Sequence, residues 1–250
     1  MCDISVREYI RWLPDEPSEP TSTIVLTTPE RRFVDIRVLK DTTTSSSNDA
    51  SGDAMFPVSR LDWAIAGTSE SSLIMNGTRH GRWHHWIDSR SKSTEGLMDE
   101  GDMFDHPSDP TLTLERGRMV NPLTGAETDY EEMWRSEPIE STTAPSGPDR
   151  TSVTCLALQW QGAEDGDPPG KVRRGLVVRL GQYCQAFARD GDEITVERLK
   201  WDVRQQMWAR QVRIGKQELP LEVATYFAPA ASIDDEVKVG GAIWKVVERA

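Results

Sequence analysis

Short alternating or β-branched runs, each closed off by a turn signal, recur along the whole chain and leave little room for helix. In ISVREYIRWL, Ile4, Val6 and Glu8 fall on one side and Arg7, Tyr9 and Arg11 on the other, the period-two signature of a strand. STIVLTT and RFVDIRVL follow as β-branched runs, and strand patterns continue through RLDWAIAG, TLTLERGRMV, SVTCLALQW, RGLVVRLGQYCQAF, DEITVERLKWDV, QMWARQVRIG, QELPLEVATYF and GGAIWKVVERA. Turn signals such as NDASGD, MNGT, NPLTG, GDPPG, RDGD and VGG separate them. Many short strands joined by turns make antiparallel sheet, closed into barrels or folded as a sandwich. One stretch, TDYEEMWR at 128–135, reads as a short helix, capped by Thr128 or Asp129 with Tyr130, Met133 and Trp134 on one face.

A boundary divides the strands into two sets. SEPIESTTAPSGPDR, residues 136–150, is rich in Pro, Ser and Thr and has no apolar period, the composition of a linker. It predicts one β-domain over 1–140 and a second over 151–250. A chain of 250 residues can bury a core in each half. The polar stretch 40–54 lies too close to flanking strand patterns to divide domains and reads as a long loop of the first.

Charge narrows the partners. The net charge is −12, and the excess lies wholly in residues 1–150, with 27 acidic against 15 basic residues, while 151–250 balance at 14 each. Such a surface argues against nucleic acid and anionic membranes, which select for clustered cations. EGLMDEGDMFDHPSD, 95–109, holds six acidic residues without Lys or Arg; it lacks the alternation of a calcium loop and reads as a solvated loop. Charges early in the chain, short apolar runs and three unpaired cysteines, Cys2, Cys155 and Cys184, predict a soluble protein of the cytoplasm or nucleus with free thiols.

RWHHWIDSR, residues 82–90, is the densest concentration of chemistry-bearing side chains. In regular extension Arg82, His84, Trp86 and Asp88 face one way, and Trp83, His85 and Ile87 the other. Adjacent histidines on a strand diverge, which argues against a metal site; Asp88 is placed to accept backbone N–H bonds in the turn that follows. There is no nucleophile elbow and no phosphate-binding glycine loop, so neither catalytic residues nor a cofactor are expected. Tryptophan, nine in all, suits barrel core and rim. As ligand-binding candidates the strand patterns single out Trp63, Arg82, His84 and Trp86 in the first half and Arg179 and Tyr183 in the second.

RLDWAIAGTSE, RWHHWIDSR, TDYEEMWR, RGLVVRLGQYCQAFARDGD and the terminal GGAIWKVVERA together resemble, in order, the fungal Hri proteins, a family named after a yeast member that associates with a casein-kinase-I homologue. The resemblance implies an all-β fold of two lipocalin-like antiparallel barrels in tandem and brings no established catalytic residues. Two functions from different classes fit. The first is a non-catalytic intracellular binding protein that engages a protein partner of the casein-kinase type, with an apolar aromatic or terpenoid molecule in a barrel cavity. The second is a cofactor-free pericyclase of the hetero-Diels–Alder kind, in which a cavity supplies near-attack geometry and a hydrogen-bond donor.

Overall fold

The computed structural model describes residues 2–40, 55–142, 154–162 and 172–250. Eight strands form a closed barrel in sequence order: β1 (Asp3–Trp12), β2 (Thr21–Thr27), β3 (Arg32–Leu39), β4 (Leu61–Leu73), β5 (Arg79–Asp88), β6 (Met98–Asp105), β7 (Leu112–Val120) and β8 (Glu127–Glu137). Antiparallel pairing of β8 with β1, from Ile4 opposite Glu137 to Trp12 opposite Tyr130, closes it.

The second half is a seven-stranded antiparallel sheet. Its strands are β9 (Cys155–Gln161), β10 (Arg173–Leu180), β11 (Tyr183–Asp190), β12 (Glu193–Asp202), β13 (Met207–Ile214), β14 (Glu236–Val239) and β15 (Ala242–Arg249), in the order β13-β12-β11-β10-β9-β15-β14. Among the described residues this sheet is open at β13 and β14, where a second closed barrel was expected. Its outer face is covered by a short helix, α1 (Leu221–Thr225), and the segment around it, which packs Leu219, Leu221, Ala224 and Ala228 onto Trp160, Trp201, Trp208 and Trp244. QELPLEVATYF is thus helical at its centre. Pro220 precedes the helix, and burial of Leu221 and Ala224 decides the conformation over a β-like composition.

The helix expected at 128–135 is strand β8. Tyr130, Glu132 and Trp134 are buried in strict alternation, and the buried position at 132 is a carboxylate, so the apolar period that would reveal a strand is missing. The acidic stretch 95–109, expected as a loop, likewise contains strand β6, whose carboxylates are engaged: Asp99 with His85, Asp102 with His80 and Asp105 with Arg79. Of the linker, Ser136 and Glu137 belong to β8, and 138–142 are described beyond it; Gln182 of the second half donates to Pro138 O and accepts from Glu140 N–H. The rest of it, and loop residues 41–54, lie outside the described residues.

The barrel is apolar on its outside, where it meets the second sheet. Ile4, Ile24, Leu26, Val34, Ile36, Ala64, Ala66 and Ile87 of its outer wall form one core with Ala157, Leu176, Val178, Phe187 and Val196. That burial drives the two sheets together. Polar groups fix their register: fully buried Gln185 donates to Ile24 O and Val34 O, and Arg198 donates to Ile36 O and to Gln185. Burial, opposed only in part by the attraction of Asp35, pushes the Arg198 guanidinium down to about 10. Cys155 and Cys184 are buried free thiols, pushed up to about 12 mainly by burial. No helix among the described residues is long and apolar enough to cross a membrane.

Candidate functional site in the barrel lumen

With its apolar wall outward, the barrel turns the alternate residues inward. On β3, Val34, Ile36 and Val38 enter the shared core, while Phe33, Asp35 and Arg37 line a cavity of about 280 Å³ inside the barrel. That volume is close to the lower end of the roughly 300–1,000 Å³ usual for small-ligand pockets. Exposed Glu70, Ser71 and Arg79 stand at one end, and buried Arg37, Glu132 and Tyr130 at the other. One side is apolar, built from Val25, Phe33, Ile65 and Trp134 with Trp63 and Trp83 against them.

Three glycines make room for lumen side chains, Gly81 and Gly117 for aromatic rings and Gly101 for Glu115. Gly81 faces Gly101 and Gly101 faces Gly117 across neighbouring strands, and Gly117 faces Tyr130. A Cβ at Gly117 would stand 2.5 Å from Tyr130 Oη, and one at Gly81 would stand 2.7 Å from the Trp83 ring. Both rings lie along a wall that any side chain would push away.

A connected set of ionisable groups fills the closed end. Arg37 donates through Nε to Asp35 Oδ2 at 2.9 Å and through Nη1 to Glu132 Oε1 at 3.2 Å. Arg7 also pairs with Glu132, and with Glu19 at 2.8 Å. Burial opposes charge on Arg37, but Asp35 and Glu132 outweigh it and raise its pKa. Glu115 accepts from Tyr130 Oη at 2.6 Å and from Trp134 Nε1 at 2.9 Å. Burial, then repulsion from Glu132, pushes it up to about 8 in spite of those bonds, which favours its uncharged form.

RWHHWIDSR meets this set through a β-bulge. Ala66 pairs with Ile87 and Gly67 with His85, so that Trp86 has no partner across β4. Beyond it the alternation resumes one residue late, and His85 and Asp88, expected on opposite faces, meet. His85 Nδ1 is 2.9 Å from Asp88 Oδ2, and Nε2 is 3.1 Å from Asp99 Oδ2. Burial disfavours its charge, yet the two carboxylates prevail and raise it to about 9. Protonated His85 therefore donates from both nitrogens. Asp88 also accepts from Trp63 Nε1 and from the N–H groups of Arg90 and Ser91, which is the turn role expected for it.

The six candidates from the sequence are not brought together. Trp63 borders the lumen cluster, with Arg37 and Arg90 over its ring at 5.1 and 4.2 Å. Arg82 and His84 are exposed outside the barrel, both near Glu70. Trp86, displaced by the bulge, packs at the junction with the second sheet, with Arg174 5.4 Å from its ring. Arg179 is buried in the second half, hydrogen-bonded to Thr142 and Thr225 O and 5.4 Å from the Trp208 ring. Tyr183 lies in the shared core, with Lys200 4.6 Å from its ring. The residues missed are the lumen set of Phe33, Asp35, Arg37, Trp83, Glu115 and Glu132. A signal was present in RFVDIRVL, where charged residues at two-residue spacing interrupt an otherwise continuous apolar run.

The family described as Protein HRI1 matches residues 3–248. Among solved structures, that of an uncharacterized protein of Saccharomyces cerevisiae, YLR301w, is similar with a TM-score of 0.69 at 16% identity, covering 100% of this chain and 99% of that one. A comparison with curated proteins gave no match.

Proposed function

The chain belongs to the HRI1 protein family, and from that premise we propose that it is a non-catalytic binding protein whose barrel lumen takes one small molecule. A single observation carries this reading. The barrel buries its apolar residues outside, against a second sheet, and keeps an open-ended cavity of about 280 Å³ lined by aromatic rings and charged groups on the inside. A wall serving stability alone would gain by filling that space. The protein partner expected from the sequence remains part of the proposal, although the carboxylates of β6 are taken up in ion pairs with β5. Pericyclic catalysis would need two reacting segments aligned in one cavity, and ion pairs across its closed end favour a single compact guest.

Tryptophan fluorescence titrated with a panel of small aromatic and terpenoid compounds tests the proposal. Trp83 lines the lumen, so a guest should change its emission saturably. Thr113→Trp, which fills the lumen from a half-buried position in its wall, should abolish the response while the thermal melt stays within a few degrees of wild type. A response unaffected by Thr113→Trp would place the guest elsewhere. Turnover of a polyene substrate by the pure protein would contradict the non-catalytic assignment.

A further inference from the structure

The lumen leaves one acceptor unused. Asp35 is buried, and its Oδ2 receives Arg37 Nε and Nη2, each at 2.9 Å. Among the described residues its Oδ1 is buried without a hydrogen-bond partner, on a residue that lines the cavity. A buried carboxylate oxygen without a donor is costly, and a donor on a guest in the lumen would satisfy it.

The surrounding charge points the same way. Within this connected set, Arg37 serves Asp35 and Glu132, Arg7 serves Glu132 and Glu19, and His85 serves Asp88 and Asp99. With Glu115 neutral, Asp35, Glu132, Glu19, Asp88 and Asp99 outnumber these three cations, with Glu19 and Asp99 only partly buried and buried Arg198 also attracted to Asp35; burial raises the Asp35 pKa against the pull of Arg37. Phe33, Ile65, Trp83 and Trp134 form the apolar side of the same cavity. The site thus joins an open, buried carboxylate acceptor, in a set rich in carboxylates, to a flat aromatic wall, a combination suited to an ammonium on an aromatic body.

We propose that the lumen selects a small aromatic primary amine, whose ammonium donates to Asp35 Oδ1 while its rings lie against Phe33, Trp83 and Trp134. This rests on the lumen being a binding site, and it adds the chemical class of the guest.

Isothermal titration calorimetry with four probes sharing one ring system tests it: tryptamine, its N,N,N-trimethyl ammonium derivative, tryptophol and indolepropionate. Tryptamine should bind at least about tenfold more tightly than tryptophol, which lacks the charge, and than the trimethyl derivative, which keeps the charge but has no N–H at that nitrogen. Indolepropionate should bind most weakly. Asp35→Asn, with folding verified by its melt, should bring tryptamine and tryptophol to similar affinity. Should that variant fail to fold, the comparison in the wild-type protein decides alone. Equal affinities for tryptamine and tryptophol, or tightest binding of indolepropionate, would overturn the amine assignment and leave a binding lumen. No heat from any of the four would overturn both.

Discussion

His85 is the residue whose environment departs furthest from what its neighbours in sequence suggest. Read as a regular strand, RWHHWIDSR separates it from Asp88; folded, it lies between Asp88 and Asp99 with its pKa raised to about 9 from an ordinary 6.5. A proton held more tightly in the folded than the unfolded chain stabilises fully below about pH 6.5, and that stabilisation is lost as pH rises through 9. Glu115 acts in the same direction. With its carboxyl raised from 4.5 to about 8, it erodes stability from about pH 4.5 upward until it ionises in the folded state. Chemical denaturation from pH 5 to 9 should therefore show steadily falling stability, with up to about 3 kcal/mol of the loss due to His85 at about 1.4 kcal/mol per pKa unit. His85→Gln should be less stable at pH 6 and should lose the part of the slope above pH 8. A slope above pH 8 unchanged in that variant would mean that His85 is not the protonated partner of the two carboxylates. The sequence disclosed that His84 and His85 diverge and that Asp88 caps a turn. It did not disclose the pairing of His85, because that depends on one extra residue in the strand.

At the scale of the element, the bulge in β5 is paired with a glycine in β4. A Cβ on Gly67 would run into the carbonyl oxygen of His84, with Trp86 N 3.0 Å away, so only glycine lets the two backbones approach here. Gly67→Ala should cost more than about 2 kcal/mol, the range of overpacked or strained buried sites. Guanidinium unfolding monitored by circular dichroism measures it, and Gly117→Ala, where the obstacle is the Tyr130 ring rather than backbone, should cost less. Equal and small losses would show that the bulge tolerates a side chain. Most strands were legible from their period, because one of their faces is apolar and enters a core. β8 and β6 were not, since their inward positions include Glu132 and Asp99. A polar lumen removes the contrast between faces on which strand recognition depends. α1 was missed for the opposite reason: ELPLEVATYF is apolar enough for either conformation, and packing against the tryptophans of the second half selects the helix.

For the whole molecule, the two sheets form one core between them, and that arrangement is what frees the barrel interior. Ile4, Val34, Ile36 and Ile87 are spent on the outside wall, against Val178 and Phe187, and the lumen can carry Asp35, Arg37, Glu115 and Glu132. The all-β class and the strand order along the chain were readable from sequence, and the resemblance to Hri proteins from an ordered series of strand motifs. Which face of each strand turns inward was not, because the apolar residues lie outside the barrel where a lipocalin-like reading places them within. For the same reason the sequence drew attention to Trp86 and Tyr183 and passed over Trp83 and Phe33. Nine tryptophans distributed over the lumen, the junction and the second half allow the location of a guest to be read directly. The decisive measurement is a nitrogen-15 correlation spectrum of the indole N–H groups, assigned by single Trp→Phe substitutions and titrated with tryptamine. Saturable shifts at Trp83 and Trp134, with Trp160, Trp201, Trp208 and Trp244 unmoved, are the predicted result. Shifts confined to those four, or no shift at saturating ligand, would contradict a binding site in the barrel lumen.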